Sequence, residues 1–164
     1  MGKTVRPMSG SPPSVTVAQA ADVPEIFGVW ESSVRATHTF LTESDIQFLI
    51  PIVRQAFAQC SPLHCTRDVR GRISAFLFVA DGKIEMLFVH ADRRGEGLGT
   101  LLTTYAIGVL GADLVDVNEQ NEQAVGFYEH LGFRRFDRSP LDPTGKPFPI
   151  LHMKLQRIDR EQSE

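Results

Sequence analysis

From Val23 to Phe57 the apolar residues recur every three or four positions, whereas beyond Leu63 they gather in short runs broken by glycine turns. Ile26, Val29, Trp30, Ser33 and Val34 hold the i, i+3, i+4, i+7, i+8 spacing of one helix face. Asp22 stands where it can cap that helix, and Pro24 fits a first turn in which its missing N–H costs nothing. Thr42-Glu43-Ser44-Asp45 opens a second helix in the manner of a capping box. Ile46, Leu49, Ile50, Val53 and Phe57 form its apolar face, and Pro51 is positioned to bend it. Ahead of both helices, Val15 to Ala18 alternates like a first strand.

The second half reads differently. Leu63 to Thr66, Ile73 to Val79 and Ile84 to Val89 are three expected strands, joined at Arg70-Gly71 and Asp81-Gly82 into an antiparallel meander. A glycine turn follows, then a helix to about Leu110, a strand Leu114 to Val117 and a helix Gln123 to Leu131. Gly132 ends that helix, since glycine takes the left-handed cap conformation without strain. Phe133 to Phe136 resumes extended structure, Asp142 to Pro147 is a tight loop, and Ile150 to Leu155 is a last strand. The order β-α-α-β-β-β-α-β-α-β-β is an α/β (α+β) class. It predicts one domain over residues 15–157 between disordered tails at 1–14 and 158–164.

Composition narrows the function classes. The chain has 164 residues, 42% of them hydrophobic and 23% charged, and a net charge of −3. The arginines are scattered, so no basic face recommends nucleic acid as a partner. No run reaches the ~18 apolar residues of a membrane span, and the N-terminus lacks the apolar core of a signal peptide. A cytoplasmic protein without a membrane partner is expected. Cys60 and Cys65 are too few for a disulfide framework, and no Cys/His spacing suits zinc, so no metal is expected.

The chemistry concentrates at Arg93-Arg94-Gly95-Glu96-Gly97-Leu98-Gly99, between an apolar strand and a helix start. Glycines let backbone approach an anion, helical N–H groups point at it, and the helix dipole favours its charge. A pyrophosphate is the natural guest. A dinucleotide fingerprint is excluded, because the third spaced glycine is missing (position 100 is Thr) and the preceding strand belongs to a meander. Gly2-Lys3-Thr4 lacks the upstream glycine of a Walker motif.

Arg94-Gly95-Glu96-Gly97-Leu98-Gly99 resembles the (Gln/Arg)-x-x-Gly-x-(Gly/Ala) signature of the GCN5-related N-acetyltransferase (GNAT) superfamily. Asn118 to Tyr128 followed by Leu131-Gly132-Phe133 resembles its second hallmark, Asn-x-x-Ala-x-x-Phe-Tyr-x-x-x-Gly-Phe. Val117 to Tyr128, Ser33 to Leu41 and Gly145 to Pro149 are similar to the bacterial YjaB-type subgroup. Ala91 departs from the proline that the family often places before the signature.

The resemblance implies the GNAT fold: a mixed, mostly antiparallel twisted sheet of about seven strands, flanked by about four helices. The cofactor, acetyl-CoA, would lie in the cleft between strands 4 and 5. Leu87, Phe88 and Val89 would pair with the pantetheine amides. Arg93, Arg94, Gly95, Gly97, Leu98, Gly99 and Thr100 would wrap the pyrophosphate. Asn118, Asn121, Ala124, Phe127 and Tyr128 would supply the opposite wall. Tyr128 is the candidate to protonate the departing thiolate, or else a packing residue. Glu85 is the candidate base: it alternates with Lys83 and Leu87, and apolar neighbours would raise its pKa. An exposed strand carboxylate is the other reading. His38, Phe40, Trp30 and Phe148 are candidates for the acceptor pocket, with Trp30 also on a core face and His38 also a possible base. The implied activity is acetyl transfer to a primary amine, from protein lysine or a small molecule. A non-catalytic acyl-CoA sensor is the alternative. Monomer and homodimer both remain open.

Overall fold

The computed structural model describes residues 13–157. Apart from Pro13 and Ser14, the two expected tails lie outside the described residues. Strands β1 (Thr16–Val17), β2 (His64–Arg67), β3 (Ile73–Ala80), β4 (Lys83–Val89), β5 (Leu114–Asn118), β6 (Phe133–Ser139) and β7 (Ile150–Leu155) form one sheet in the order β1-β2-β3-β4-β5-β7-β6. Every neighbouring pair is antiparallel except β4–β5. The helices are α1 (Val23–Thr37), α2 (Glu43–Phe57), α3 (Leu98–Gly108) and α4 (Glu122–His130).

Each face of the sheet carries its own core. On one, α1 and α2 bring Ile26, Trp30, Val34 and Phe57 against Cys65, Ile73 and Phe76. On the other, α3 and α4 bring Leu98, Leu102, Ala106 and Tyr128 against Leu77, Val115, Phe133 and Met153. The expected face of α1 is the buried one at all five positions. Thr42 caps α2, accepting the Asp45 N–H while the Asp45 carboxylate accepts the Thr42 N–H. Asp81 and Gly82, both at positive φ, make the β3–β4 hairpin turn.

Asp22 does not cap α1. Its carboxylate accepts the Gln19 N–H and a guanidinium N–H of Arg67 at 2.8 Å each, closing a short 3-10 turn onto β2. These bonds hold its pKa below the ordinary carboxylate value.

Strand β4 positions the site through two irregularities. Its pairing with β5 is confined to Lys83↔Leu114 and Ile84↔Val115, after which the two strands part. Its pairing with β3 steps from Val79↔Ile84 to Phe78↔Met86, leaving Glu85 as an extra residue in a bulge. The bulge switches the faces. Ile84, Leu87 and Val89 pack with the α3–α4 core, while Met86 and Phe88 pack with the α1–α2 core. The expectation that Lys83, Glu85 and Leu87 share one face therefore fails, because strict alternation breaks at position 85.

Candidate active site

The parting of β4 from β5 opens a cleft of about 390 Å³ that runs under the N-terminus of α3. Gly95 and Gly97 sit at φ 82° and 79°, where side chains with a Cβ are strained, so these positions need glycine. Gly97 is the N-cap of α3, and the first intrahelical bond runs from the Leu101 N–H to the Gly97 carbonyl. The N–H groups of Leu98, Gly99 and Thr100 have no intrahelical acceptor and face out of the helix end. Gly99 allows α3 to approach α4: a Cβ there would lie 3.3 Å from the Phe127 ring.

The two arginines of the turn have different partners. Arg93 donates to Asp68 at 2.6 Å and lies 3.5 Å from Glu96, so its charge is already balanced. Arg94 donates to the Gln123 side chain across the cleft, a neutral group, and has no carboxylate partner among the described residues. Of the expected cofactor residues, Leu87, Phe88, Val89, Arg93, Arg94 and Gly95 line this cleft, as do Gly97, Leu98, Gly99 and Thr100. Asn121, Ala124, Phe127 and Tyr128 line the opposite side. The Asn121 carbonyl oxygen is spent capping α4, where it accepts the Ala124 N–H at 3.2 Å. Asn118 lies elsewhere, in the wall of a second cavity.

Tyr128 is 6% exposed and packed edge-on against Phe127 and Phe133, with centroids 5.0 and 5.6 Å away. Its hydroxyl has no hydrogen-bond partner among the described residues, yet its side chain lines the cleft. Burial pushes the phenol well above its ordinary pKa of 10, so it stays a proton-bearing donor at all physiological pH values.

The second cavity, about 320 Å³, lies between α1, α2 and the β6–β7 loop. His38 and Phe88 line both cavities and so mark where they meet. Trp30, Phe40 and Phe148 line the second one. His38, Phe40 and Phe148 stack in series, with centroid distances of 5.4 and 5.7 Å. Trp30 is 4% exposed and serves the α1–α2 core as well. Burial lowers the His38 pKa to about 4. The ring is then neutral at pH 7, and its Nδ1 is 2.8 Å from the Thr37 hydroxyl. That hydroxyl donates to the Ser33 carbonyl, so Nδ1–H is the donor to Thr37 Oγ1.

Glu85 lines neither cavity. It is exposed on the bulge, with Lys83 Nζ 3.6 Å from its carboxylate. The apolar surroundings expected of it are absent.

Several wall residues were not among the expected site residues. Ser33, Thr37 and Gln123 line the cleft; Asp45, Leu49, Asp142 and Lys146 line the second cavity. Ser33 and Thr37, spaced i, i+4 beside an apolar face, were a readable signal on α1. The loop at Asp142 to Pro147 was expected, but the contacts that shape and hold it were not. Asp142 Oδ1 accepts the backbone N–H groups of Thr144 and Lys146, which shapes the turn. Lys146 then straps the loop to α2, with Nζ 3.4 Å from Asp45 and 4.2 Å over the Phe48 ring.

A parallel strand pair that forks beside a glycine-lined helix N-terminus, with an aromatic cavity adjoining, is an arrangement able to seat an anionic carrier next to a second substrate. Comparison with known proteins gives that arrangement its family. The acetyltransferase (GNAT) domain model matches residues 56–135. The peptidyl-lysine N-acetyltransferase YjaB of Escherichia coli K12 is 37% identical over 129 residues, covering 79% of this chain and 87% of that protein. The solution structure of apo-form Escherichia coli YjaB superposes with a TM-score of 0.80 at 34% identity, covering 88% of this chain and 97% of that one. A Salmonella typhimurium acetyltransferase, yncA, solved with its cofactor acetyl-CoA, shares the fold at a TM-score of 0.61 and 18% identity, covering 94% of this chain and 99% of that one. The chain belongs to the GNAT acetyltransferase family, and its co-substrate is acetyl-CoA.

Proposed function

We propose that the protein transfers an acetyl group from acetyl-CoA directly to the side-chain amine of a lysine in a peptide or protein. The observation that carries this reading is the meeting of two unlike cavities at His38 and Phe88, one under an anion cradle and the other an aromatic slot. The slot suits a lysine, whose methylene stem packs on aromatic rings while its amine reaches past them. Similarity to relatives named for peptidyl-lysine acetylation supports the same acceptor.

The cleft fits acetyl-CoA on its own chemistry. Arg94 and the free N–H groups of α3 hold the pyrophosphate, and the unpaired edge of β4 offers backbone groups of Leu87, Phe88 and Val89 to the pantetheine amides. Bound acetyl-CoA supplies an activated acyl group and a thiolate leaving group. A backbone N–H near Phe88 polarises the acyl carbonyl. The Tyr128 hydroxyl gives its proton to the departing sulfur.

Release of free CoA thiol tests the reading against a panel of amines. Lysine peptides with blocked N-termini should turn over faster than polyamines or peptides whose only amine is N-terminal. Turnover confined to polyamines or N-terminal amines would overturn the lysine assignment. Tight acetyl-CoA binding with no turnover on any amine would instead make the protein a sensing module.

A further inference from the structure

An attacking amine needs its lone pair turned to the acyl carbon, and any polar group beside it decides whether that pair is free. His38 and Phe88 are the residues that line both cavities, so the nitrogen meets the acyl group alongside them. Of the two, only His38 has a polar side chain. Glu85 lines neither cavity.

The His38 ring is held from several sides. It directly follows α1, where its backbone N–H donates to the Val34 carbonyl at 2.9 Å and its carbonyl accepts the Leu41 N–H at 3.0 Å. Phe40 stacks on the ring at a centroid distance of 5.4 Å. Thr37 Oγ1 lies 2.8 Å from Nδ1 and donates its own proton to the Ser33 carbonyl, also at 2.8 Å. With that proton committed, the hydroxyl offers the ring only lone pairs. The ring, kept neutral at pH 7 by burial, therefore carries its hydrogen on Nδ1. Nε2 has no hydrogen-bond partner among the described residues. The one fully buried side-chain nitrogen or oxygen left unpartnered among them is His64 Nδ1, so His38 Nε2 is not sealed in the core. It opens onto the space that the ring lines.

We propose that His38 Nε2 receives the acceptor amine, and that Thr37, by fixing the tautomer, makes Nε2 a hydrogen-bond acceptor there. This rests on the acetyltransferase reading above. Nε2 takes one N–H of the amine and leaves the nitrogen lone pair to attack. The opposite tautomer would aim an N–H at the nitrogen and occupy the pair that must form the new bond. His38 touches the substrate; Thr37 is a positioning residue that acts through it. No proton moves to His38. As the nitrogen–carbon bond forms and the carbon–sulfur bond breaks, nitrogen sheds its protons to water, and Tyr128, having protonated sulfur, takes one back from water.

Long-range ¹H–¹⁵N spectra of the wild-type protein, with His38 assigned by the signals lost in His38→Gln, read the tautomer directly. Nδ1–H is expected, and Nε2–H would overturn the proposal. A lysine peptide added to the CoA complex should move the Nε2 resonance upfield, as accepting a hydrogen bond does. An unmoved resonance at saturating peptide would overturn it as well. Thr37→Val keeps the shape of the side chain and removes its hydroxyl. With a lysine peptide its kcat should fall about 10-fold at an unchanged KM for acetyl-CoA, and Thr37→Ser should recover most of the loss. His38→Ala should lower kcat/KM for the peptide about 10²-fold. Equal losses in Thr37→Val and Thr37→Ser would overturn the positioning role. A wild type that acetylates no amine would overturn the acetyltransferase reading, whereas an active wild type with unaltered Thr37→Val and His38→Ala would overturn the His38 assignment alone.

Discussion

The two cavities meet at the same two residues but are built in opposite ways. The cofactor cleft is largely backbone: an unpaired strand edge, two glycines at positive φ and the open end of a helix. Its residues fall in two short stretches, 87–100 and 121–128, apart from Ser33, Thr37 and His38. The acceptor cavity is side chains drawn from α1, the α1–α2 loop, α2, β5 and the 142–150 segment. A shape made by backbone demands particular residues at fixed spacing. A shape made by side chains only demands volumes that fit. On the proposed assignment, the first region is constrained by acetyl-CoA and the second is free to change with the acceptor.

Four outcomes would sharpen or break that contrast. The largest concerns Tyr128, in the wall of the first cavity. Tyr128→Phe should lower kcat by ~10² or more while the KM for acetyl-CoA changes little. Its melting temperature should barely move, since the lost hydroxyl has no protein partner among the described residues. Unchanged kcat would leave Tyr128 a packing residue. Next, Gly97→Val forces a β-branched side chain to φ 79° and should weaken acetyl-CoA binding by about 30-fold in calorimetry. Equal affinity would mean that the helix end is not the anion site. Phe148→Ala should raise the KM for a lysine peptide by about 10-fold and leave acetyl-CoA affinity alone. A matching loss of cofactor affinity would show that the two cavities are not separable.

The smallest effect is a pH dependence at the junction. The His38 pKa is lowered on folding from 6.5 to about 4, so the unfolded chain takes up the proton first. The stability from this group is complete above pH 6.5 and drains away as pH falls toward 4. Urea midpoints measured from pH 4 to 7 should lose part of their slope in His38→Gln. An unchanged slope would place the acid sensitivity elsewhere, with His64 the next candidate: it is buried with Nδ1 unpartnered, and its pKa too is lowered by burial.

How much was legible follows the same division. Helix faces and strands could be read because burial repeats with a fixed period, and Ile150–Leu155 emerges with its expected bounds. The glycine turn before α3 could be read because Gly95 and Gly97 take positive φ, which few other residues tolerate. The Glu85 bulge could not be read, since one extra residue in a strand leaves no mark on composition and reverses every face beyond it. The partners of Asp22 and Arg93 could not be read, because Arg67 and Asp68, which engage them, lie about 45 and 25 residues away in sequence.

The Lys146 strap has a consequence for traffic. The Lys146 ammonium, 3.4 Å from Asp45 and resting on the ring of Phe48, ties the 142–150 segment to α2, while Phe148 stacks on Phe40 and the Pro149 carbonyl accepts the Glu119 N–H. An ion pair whose partners keep some access to solvent is screened by salt, so this one tie weakens as ionic strength rises. Ionic strength should therefore act as a throttle on how quickly acceptors enter and products leave, while the backbone-built berth for the cofactor keeps its shape.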